Sequence, residues 1–419
     1  MQSEDYKMKL SFKTAEKYLS NTTFMKNVLE LLYLLIFAVI FSDAFLHTTM
    51  FLKLFGDHTQ LHIFMKIALL AVILAKLSLT DERSWKRTLL VVLFFTCFVA
   101  AFYRRSHYDE LLTIALLIIG ANQVSFRRIL KVFLILGISI TLAAMISAQM
   151  GFIENLVYHQ SGRSIRISFG SVYPTDFSAH ILYLVLAYIF LRQQRLKYIE
   201  LAVLFGLAAF IYSFCDAKTN AGCMIIAVVI CLFLKLSHTF SEEKKPARLQ
   251  KAEKIIHKIY VFLTKYSMLI LFTIMTALTL LYTEDSAIME KLNELFNTRL
   301  SLGKTGFDTY PVGLLGQYIE MVGFGGKLEV PDNYFFIDSS YIKMILCYGL
   351  AVTACTLLIY MLVGKRAQKR NNLYLLTILG VISIQCMFEH HILEIAYNPF
   401  TLAILAKLDE RLTERSQLP

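Results

Sequence analysis

Long apolar blocks separated by short polar segments recur along the whole chain, and many approach the ~20 residues that a helix needs to cross a bilayer. This pattern predicts an all-α, polytopic membrane protein with about twelve transmembrane helices. The predicted spans are 28–46, 61–79, 88–103, 110–124, 129–149, 172–191, 198–214, 219–236, 262–282, 339–363, 373–389 and 392–407. The fourth block is the weakest, so ten spans with two re-entrant pairs are the alternative.

Composition agrees with a membrane protein. Apolar residues make up 57% of the chain and charged residues only 17%, against about 25% charged in soluble domains. Mean hydropathy is +0.57. The net charge of +11 does not indicate nucleic-acid binding, because the basic residues lie between the apolar blocks and form no single patch.

The distribution of Lys and Arg predicts the topology. With the N-terminus inside, cytoplasmic segments and their flanks carry 30 of the 42 basic residues, and the outer side carries 12. This is the positive-inside bias, and it places both termini in the cytoplasm. The predicted cytoplasmic parts are segment 1–27, the loop 237–261 and the tail 408–419, with a transmembrane domain over 28–407. The first span is predicted to be an uncleaved start-transfer helix.

Two outer loops follow from this topology, over 150–171 and 283–338. The second is long for a connection without function. Its DSAIMEKLNELFNTRL and TYPVGLLGQYIEM portions have helical spacing and predict short helices across the outer mouth.

Ionisable residues collect at the outer ends of the spans, where such groups usually mark function. They are Asp43 and His47 on the first span, Asp176 and His180 on the sixth, Lys218 in the turn YSFCDAKTNAG, and Glu389, His390, His391 and Glu394 near the eleventh. The alternative for each is an interfacial residue whose polar tip lies in water.

The sequence favours no metal site and no nucleotide cofactor. The HHILE string does not match HExxH, and its adjacent histidines point to different helix faces. The seven cysteines are odd in number and form no CxxC pair. GFGGK lacks the strand–loop–helix context of a phosphate cradle.

Outer basic residues instead predict an anion site. Arg163 and Arg166 lie in the first long loop, Arg299 lies in the second, and Lys218 lies between them in the chain. Guanidinium groups bind phosphate oxygens in pairs. Aromatic residues of the long loop, such as Tyr310, either stack on sugar rings or pack the loop itself.

Four segments carry a family resemblance: RISFGSVYPTDFSAHILYL, YSFCDAKTNAG, NTRLSLG with TYPVGLLGQYIEM, and IDSSYIKMILCYGL. In their order and topology the chain resembles bacterial polysaccharide repeat-unit polymerases of the Wzy type, closest in style to Gram-positive capsule polymerases. O-antigen ligases belong to the same superfamily. Departures are Lys218 where the family usually has Arg, Ser339 where Asn is usual, and Asp338 where the ligases have His.

The resemblance implies glycosyl transfer on the outer face of the bacterial cytoplasmic membrane. Donor and acceptor would be undecaprenyl-diphosphate-linked oligosaccharides, with a flippase and a chain-length regulator as protein partners and no nucleic acid. Candidate general bases are Asp338, His391 and Glu320, and Asp338 is favoured. Candidate diphosphate- or glycan-binding residues are Arg163, Arg166, Lys218, Arg299, Tyr310, Tyr341, Asp176 and His180. A lipid-linked oligosaccharide flippase and a ligase are the alternatives.

Overall fold

A computed structural model describes residues 2–56, 59–78, 85–103, 108–159, 164–239, 247–324, 326–329 and 331–408. In these ranges the protein is all-α apart from one small hairpin, in which β1 (Val157–Tyr158) pairs antiparallel with β2 (Arg166–Ile167). The helices are α1 (Gln2–Leu46), α2 (Leu52–Phe55), α3 (Thr59–Ser78), α4 (Trp85–Ala101), α5 (Asp109–Gly120), α6 (Phe126–Gln149), α7 (Pro174–Arg192), α8 (Tyr198–Cys215), α9 (Lys218–Thr239), α10 (Ala247–Leu281), α11 (Ala287–Leu295), α12 (Arg299–Thr309), α13 (Ser340–Lys343), α14 (Gly349–Lys369) and α15 (Leu373–Gln385).

Eight helices in the described ranges are long and apolar enough to cross a membrane. They are Thr23–Leu46, Gln60–Ser78, Phe126–Gln149, Pro174–Arg195, Tyr198–Cys215, Lys218–Ser237, Gln250–Leu281 and Ser340–Lys369. Large apolar side chains on their outward faces, such as Leu31, Phe64 and Phe233, are exposed, as expected of helices that face lipid. The all-α class is confirmed, and the helices support a polytopic membrane protein.

Four of the twelve predicted spans lack a helix of that length. Predicted spans 88–103 and 373–389 fall on the shorter apolar helices α4 and α15. Predicted span 110–124 falls on α5, which has 12 residues. Most of the side chains of α5 are buried, because α3 and α4 pack against it. Burial inside protein, and not a lipid-facing stripe, explains the apolar character of this block.

The twelfth predicted span, 392–407, was wrong as an α-helix. The chain there forms only the short 3-10 segments His391–Leu393 and Phe400–Ile404. Side chains satisfy backbone carbonyl groups that lack helical partners. Arg366 Nη2 donates to the carbonyl oxygen of Ala406 at 2.7 Å, and Asn398 Nδ2 donates to the carbonyl oxygen of Ile392 at 2.9 Å. Irregular backbone at membrane depth is stable when protein groups satisfy it in this way.

The long loop contains one of the two predicted helical portions. Helix α11 lies in DSAIMEKLNELFNTRL, and Ser286 caps its N-terminus through a hydrogen bond from the Met289 amide. TYPVGLLGQYIEM was wrongly predicted as a helix, since the chain from Pro311 to Met321 is irregular. Its backbone groups bond outside their own segment instead.

This irregular chain docks on a break in the tenth predicted span. A π-helix over Met344–Tyr348 separates α13 from α14. The Gln317 amide donates to the carbonyl oxygen of Cys347 at 3.1 Å, and the Leu350 amide donates to that of Gly313 at 3.1 Å. The loop therefore supplies partners for the backbone groups that the break leaves without helical ones.

Two glycines make this docking possible. Gly316 has φ +70° and Gly349 has φ +88°, a region that other residues enter only at a cost. A Cβ on Gly316 would lie 2.1 Å from the Cys347 carbonyl oxygen, and one on Gly349 would lie 2.1 Å from the Gly316 amide nitrogen. No side chain fits between these two backbones.

We expect Gly316→Ala and Gly349→Ala each to lower the free energy of unfolding by about 2 kcal/mol or more, through strain and steric clash. Gly222→Ala is the matched control, because a Cβ there meets nothing within 4 Å and Ala is the better residue in a helix. Thermal unfolding of the three purified variants in detergent measures the difference. Equal stability of all three would contradict the close approach of the two backbones.

Candidate functional site

Buried polar residues gather at the end of the bundle where α1 stops and α7 begins, called here the polar end. The Val172 amide donates to the carbonyl oxygen of Thr48 at 3.0 Å, and the Met50 amide donates to that of Gly170 at 2.8 Å. These bonds join the segment after α1 to the segment before α7. Helices α12 and α13 and the chain after α15 meet at the same place.

An ion pair between Arg299 and Asp338 lies at the centre of the polar end. Arg299 opens α12, Asp338 precedes α13, and Arg299 Nη2 lies 3.1 Å from Asp338 Oδ2. Arg299 also donates from Nε to the carbonyl oxygen of Phe388 at 3.1 Å and from Nη1 to that of Asn297 at 2.9 Å. A guanidinium has five N–H donors, so these three contacts leave donors for an anion. The side chains of Arg299 and Asp338 are 13% and 20% exposed.

Beside this pair, two histidines and two glutamates form a tight group. His390 Nδ1 lies 4.0 Å from Asp338 Oδ1, and His390 Nε2 lies 3.6 Å from Glu394 Oε1. His391 Nδ1 lies 3.1 Å from Glu394 Oε2, and His391 Nε2 lies 3.7 Å from Glu389 Oε2. The group is built on the chain after α15, which forms no α-helix and only short 3-10 segments.

The surroundings of these residues shift their pKa values in different directions. Burial raises the pKa of Asp338 above its ordinary value, although Arg299 pulls that pKa down. Burial likewise lowers the pKa of His390 well below its usual range. Burial alone would also lower the pKa of His391, but Glu394 and Glu389 raise it above its ordinary value. The pKa values of His390 and His391 are therefore shifted in opposite directions, and the lowered pKa of His390 favours its neutral form.

Lys343 and Glu110 also belong to this network of charged side chains. Lys343 Nζ lies 3.0 Å from Glu394 Oε1 and 3.8 Å from Glu110 Oε1. Tyr348 donates its hydroxyl to Glu110 Oε1 at 2.9 Å. Since Lys343 already neutralises Glu394, the His390, His391 and Glu394 group fits an ion-pair network better than a metal site, although its ligand atoms lie within 4.8 Å of one another.

Asp176 and His180 of α7 line the same region but face protein. Tyr397 donates its hydroxyl to Asp176 Oδ1 at 3.1 Å. His180 is 2% exposed and stacks between the rings of Phe45 and Tyr397, at centroid distances of 3.7 and 4.2 Å. Both side chains therefore position the Tyr397 ring, which stacks on His391 at 3.7 Å. Direct contact of Asp176 and His180 with substrate stays a prediction.

Arg166 is also buried, at 2% exposure. It donates from Nε to the carbonyl oxygen of Cys215 at 3.0 Å and from Nη1 to the Tyr173 hydroxyl at 2.9 Å. These bonds hold the hairpin strand β2 to the end of α8. Helix α8 ends at Asp216, whose backbone is in the left-handed conformation. Lys218 follows two residues later in the chain. The Lys218 side chain is 70% exposed and lies 3.9 Å from Asp216, so the turn presents an accessible ammonium beside a buried guanidinium.

Aromatic rings connect this second basic region to the first. Tyr173 stacks on Phe324 at 5.0 Å, and Phe324 meets Tyr334 at 6.0 Å. Tyr334 in turn interacts electrostatically with Arg299 and Asp338. The rings of Tyr173, Phe324 and Tyr334 thus connect Arg166 to Arg299.

The other predicted site residues have separate positions. Arg163 lies outside the described residues. Glu320 is exposed, and no ion pair or side-chain hydrogen bond among the described residues joins it to the polar end. Tyr310 lies beside Phe335, with ring centroids 6.2 Å apart. Tyr341 is fully buried and donates to the carbonyl oxygen of Ser383 at 2.7 Å, which ties α13 to α15. Its contact with substrate stays a prediction.

Lys343 and Glu110 were missed as site residues. Each is an ionisable residue within or at the edge of an apolar block, which was the available signal. Their pairing was not predictable, because 233 residues separate them in the chain.

Comparisons with models of protein families, with characterised proteins and with solved structures give no match.

Proposed function

We propose that this protein is a membrane glycosyltransferase that joins lipid-diphosphate-linked oligosaccharide repeat units into a polysaccharide, as the family resemblance implies. Under the topology favoured by the basic residues, the polar end faces outward. The transfer needs neither a nucleotide nor a metal, because the diphosphate leaving group already carries the activation. The bilayer and an undecaprenyl-diphosphate-linked oligosaccharide are the proposed partners, with a flippase and a chain-length regulator beside them.

The observation that carries this proposal is the juxtaposition of Arg299 with Asp338, beside neutral His390, at the end of an apolar bundle. In the proposed reaction the acceptor hydroxyl gives its proton to Asp338, and its oxygen attacks the anomeric carbon of the donor. The bond from that carbon to the diphosphate oxygen breaks, and the diphosphate leaves with the electron pair. Arg299 stabilises the charge that develops on the leaving group.

Arg166 and Lys218 supply further positive charge along the same region. Because Arg166 is held by Cys215 and Tyr173, its proposed role is a fixed positive charge that attracts the diphosphate without touching it. Lys218 is exposed and is the proposed mobile contact. The exposed ring of Tyr318 and the half-buried ring of Tyr310 are candidates for stacking on sugars.

One observation favours a second candidate, a lipid-linked oligosaccharide transporter. The π-helix over Met344–Tyr348 and the end of α-helical structure after α15 are breaks of the kind that transporters use near their binding sites. The glycosyltransferase accounts better for Arg299 and Asp338, because transport alone requires no proton acceptor.

Mass analysis of lipid-linked glycans in a strain that lacks the gene separates these functions. We expect single lipid-linked repeats to accumulate on the outer face and polymer to disappear. Finished but unattached chains would instead indicate a ligase. Repeats held at the cytoplasmic face would indicate a flippase. Either of these two results would contradict polymerase activity.

The proposed orientation has its own test. In a background with the seven cysteines replaced by Ala, we expect Gln250→Cys to react only after the cells are permeabilised. Leu295→Cys, at an exposed position of α11, should react with a membrane-impermeant maleimide in intact cells. The reverse labelling pattern would overturn the orientation and, with it, an outward-facing site.

A further inference from the structure

A second group of ligand-type side chains joins α1 to α3. Asp43 and His47 lie one turn apart near the end of α1, and His62 lies in the first turn of α3. His62 Nε2 is 2.5 Å from Asp43 Oδ2, and His47 Nδ1 is 3.7 Å from the same oxygen. One potential ligand atom from each residue lies within 4.8 Å of the other two. Three groups from two helices thus converge on one point.

Their spacing fits a coordinated ion. Zinc binds imidazole nitrogen and carboxylate oxygen at about 2.0–2.2 Å, which places tetrahedral ligand atoms roughly 3.4 Å apart. The two distances to Asp43 Oδ2, 2.5 and 3.7 Å, lie on either side of this value. Small side-chain rotations are enough to reach it. The side chains of Asp43, His62 and His47 are 12%, 27% and 29% exposed, so an ion from water can reach them.

The kinds of ligand select the kind of ion. Two imidazoles with one carboxylate suit Zn²⁺ and related first-row divalent ions, whereas Mg²⁺ and Ca²⁺ require mostly oxygen ligands.

We propose that Asp43, His47 and His62 form a binding site for Zn²⁺ or a similar transition-metal ion, with water in the fourth position. His47 Nδ1 lies 2.8 Å from the carbonyl oxygen of Asp43. In the metal-free protein this nitrogen donates its proton there. Binding through Nδ1 moves that proton to Nε2, so the site takes the other neutral tautomer of His47.

The ion clamps two helices that border the polar end. One residue after His47, Thr48 bonds the ring of His180, with Oγ1 2.6 Å from Nε2. One turn after His62, Lys66 forms an ion pair with Asp109 at the start of α5. The proposed metal therefore fixes α3 to the end of α1 that lies next to His180, and it takes no part in glycosyl transfer.

The test uses the full chain, purified in detergent and treated with a chelator. Titration with Zn²⁺ is expected to show one bound ion and a higher unfolding temperature, since a ligand that binds only the folded state stabilises it. Mg²⁺ should give neither. Co²⁺ in place of Zn²⁺ should show visible ligand-field absorption without a thiolate charge-transfer band, which separates this site from the cysteines.

Three variants and one control identify the ligands. Asp43→Asn, His62→Gln and His47→Gln should each abolish the stabilisation by Zn²⁺. His257→Gln, at an exposed position of α10, should leave it unchanged. His47→Gln is decisive, because it removes a ligand and leaves the contact between Asp43 and His62 intact. If it keeps metal-free stability and loses Zn²⁺ binding, a site and not a mere hydrogen bond joins the helices.

Three results would overturn the proposal. They are a folded protein that binds no Zn²⁺, binding that His47→Gln and His62→Gln leave intact, or a thiolate band in the Co²⁺ spectrum. Because the readouts are binding and stability, they stand apart from any assay of polymer formation.

Discussion

Arg299→Ala is expected to abolish polymer formation, with single lipid-linked repeats accumulating instead. Loss of one preorganised donor to developing charge typically costs ~10²–10³-fold in rate, and Arg299 supplies several such donors at the polar end. Arg299→Lys should restore only part of the rate, because an ammonium keeps the charge and loses the paired geometry of the guanidinium. The measurement is polymer length and repeat-unit level in cells that express each variant.

A structural role for Arg299 must be separated from a chemical one, because the substitution also leaves Asp338 without its partner. Membrane protein level and thermal unfolding of each variant provide that separation. Arg192→Ala is a matched control, since Arg192 also forms a part-buried ion pair, at 2.8 Å from Glu200, but at the opposite end of α7. Polymer of normal length from a stable Arg299→Ala protein would rule out a diphosphate-binding role.

Asp338→Asn is expected to reduce turnover by about 10²–10⁴-fold, the usual contribution of a general base. Asparagine keeps the size of the side chain and a hydrogen-bond acceptor for Arg299, but it cannot accept the proton of the acceptor hydroxyl. A reconstituted assay with purified lipid-linked repeats measures the rate directly. Asp338→Glu should recover part of it.

Helix capping, the structural alternative for Asp338, is not what the geometry supports. Ser339 is the N-cap residue of α13, and no side-chain hydrogen bond caps that helix. Asp308→Asn is the matched control, because Asp308 pairs with Lys304 at 2.9 Å on the exposed face of α12 and should tolerate the change. Near-normal turnover by Asp338→Asn would move the base to His390, the neutral imidazole 4.0 Å away.

The candidate bases differ in how far the sequence could rank them. From the sequence, Asp338 was favoured over His391 and Glu320 because its motif lies at the predicted membrane boundary. Tertiary structure separates them: Glu320 is exposed, and His391 is fully buried between Glu394 and Glu389. Only Asp338 combines partial exposure with a neighbouring cation. Accessibility depends on which elements pack together, so no spacing rule could supply it.

Hydropathy by itself determined the class of this protein and the positions of eight long helices. Polar side chains are costly in lipid, so each membrane-crossing helix leaves a continuous apolar block in the sequence. Hydropathy also marked the ionisable residues that accompany those blocks. It failed for 392–407, where an apolar block is buried in protein, since burial by neighbours and burial by lipid select the same residues. The pairings of Arg299 with Asp338, of Lys343 with Glu110 and Glu394, and of His62 with Asp43 were decided only by tertiary structure, because each joins helices or loops whose contact depends on the packing of the whole bundle.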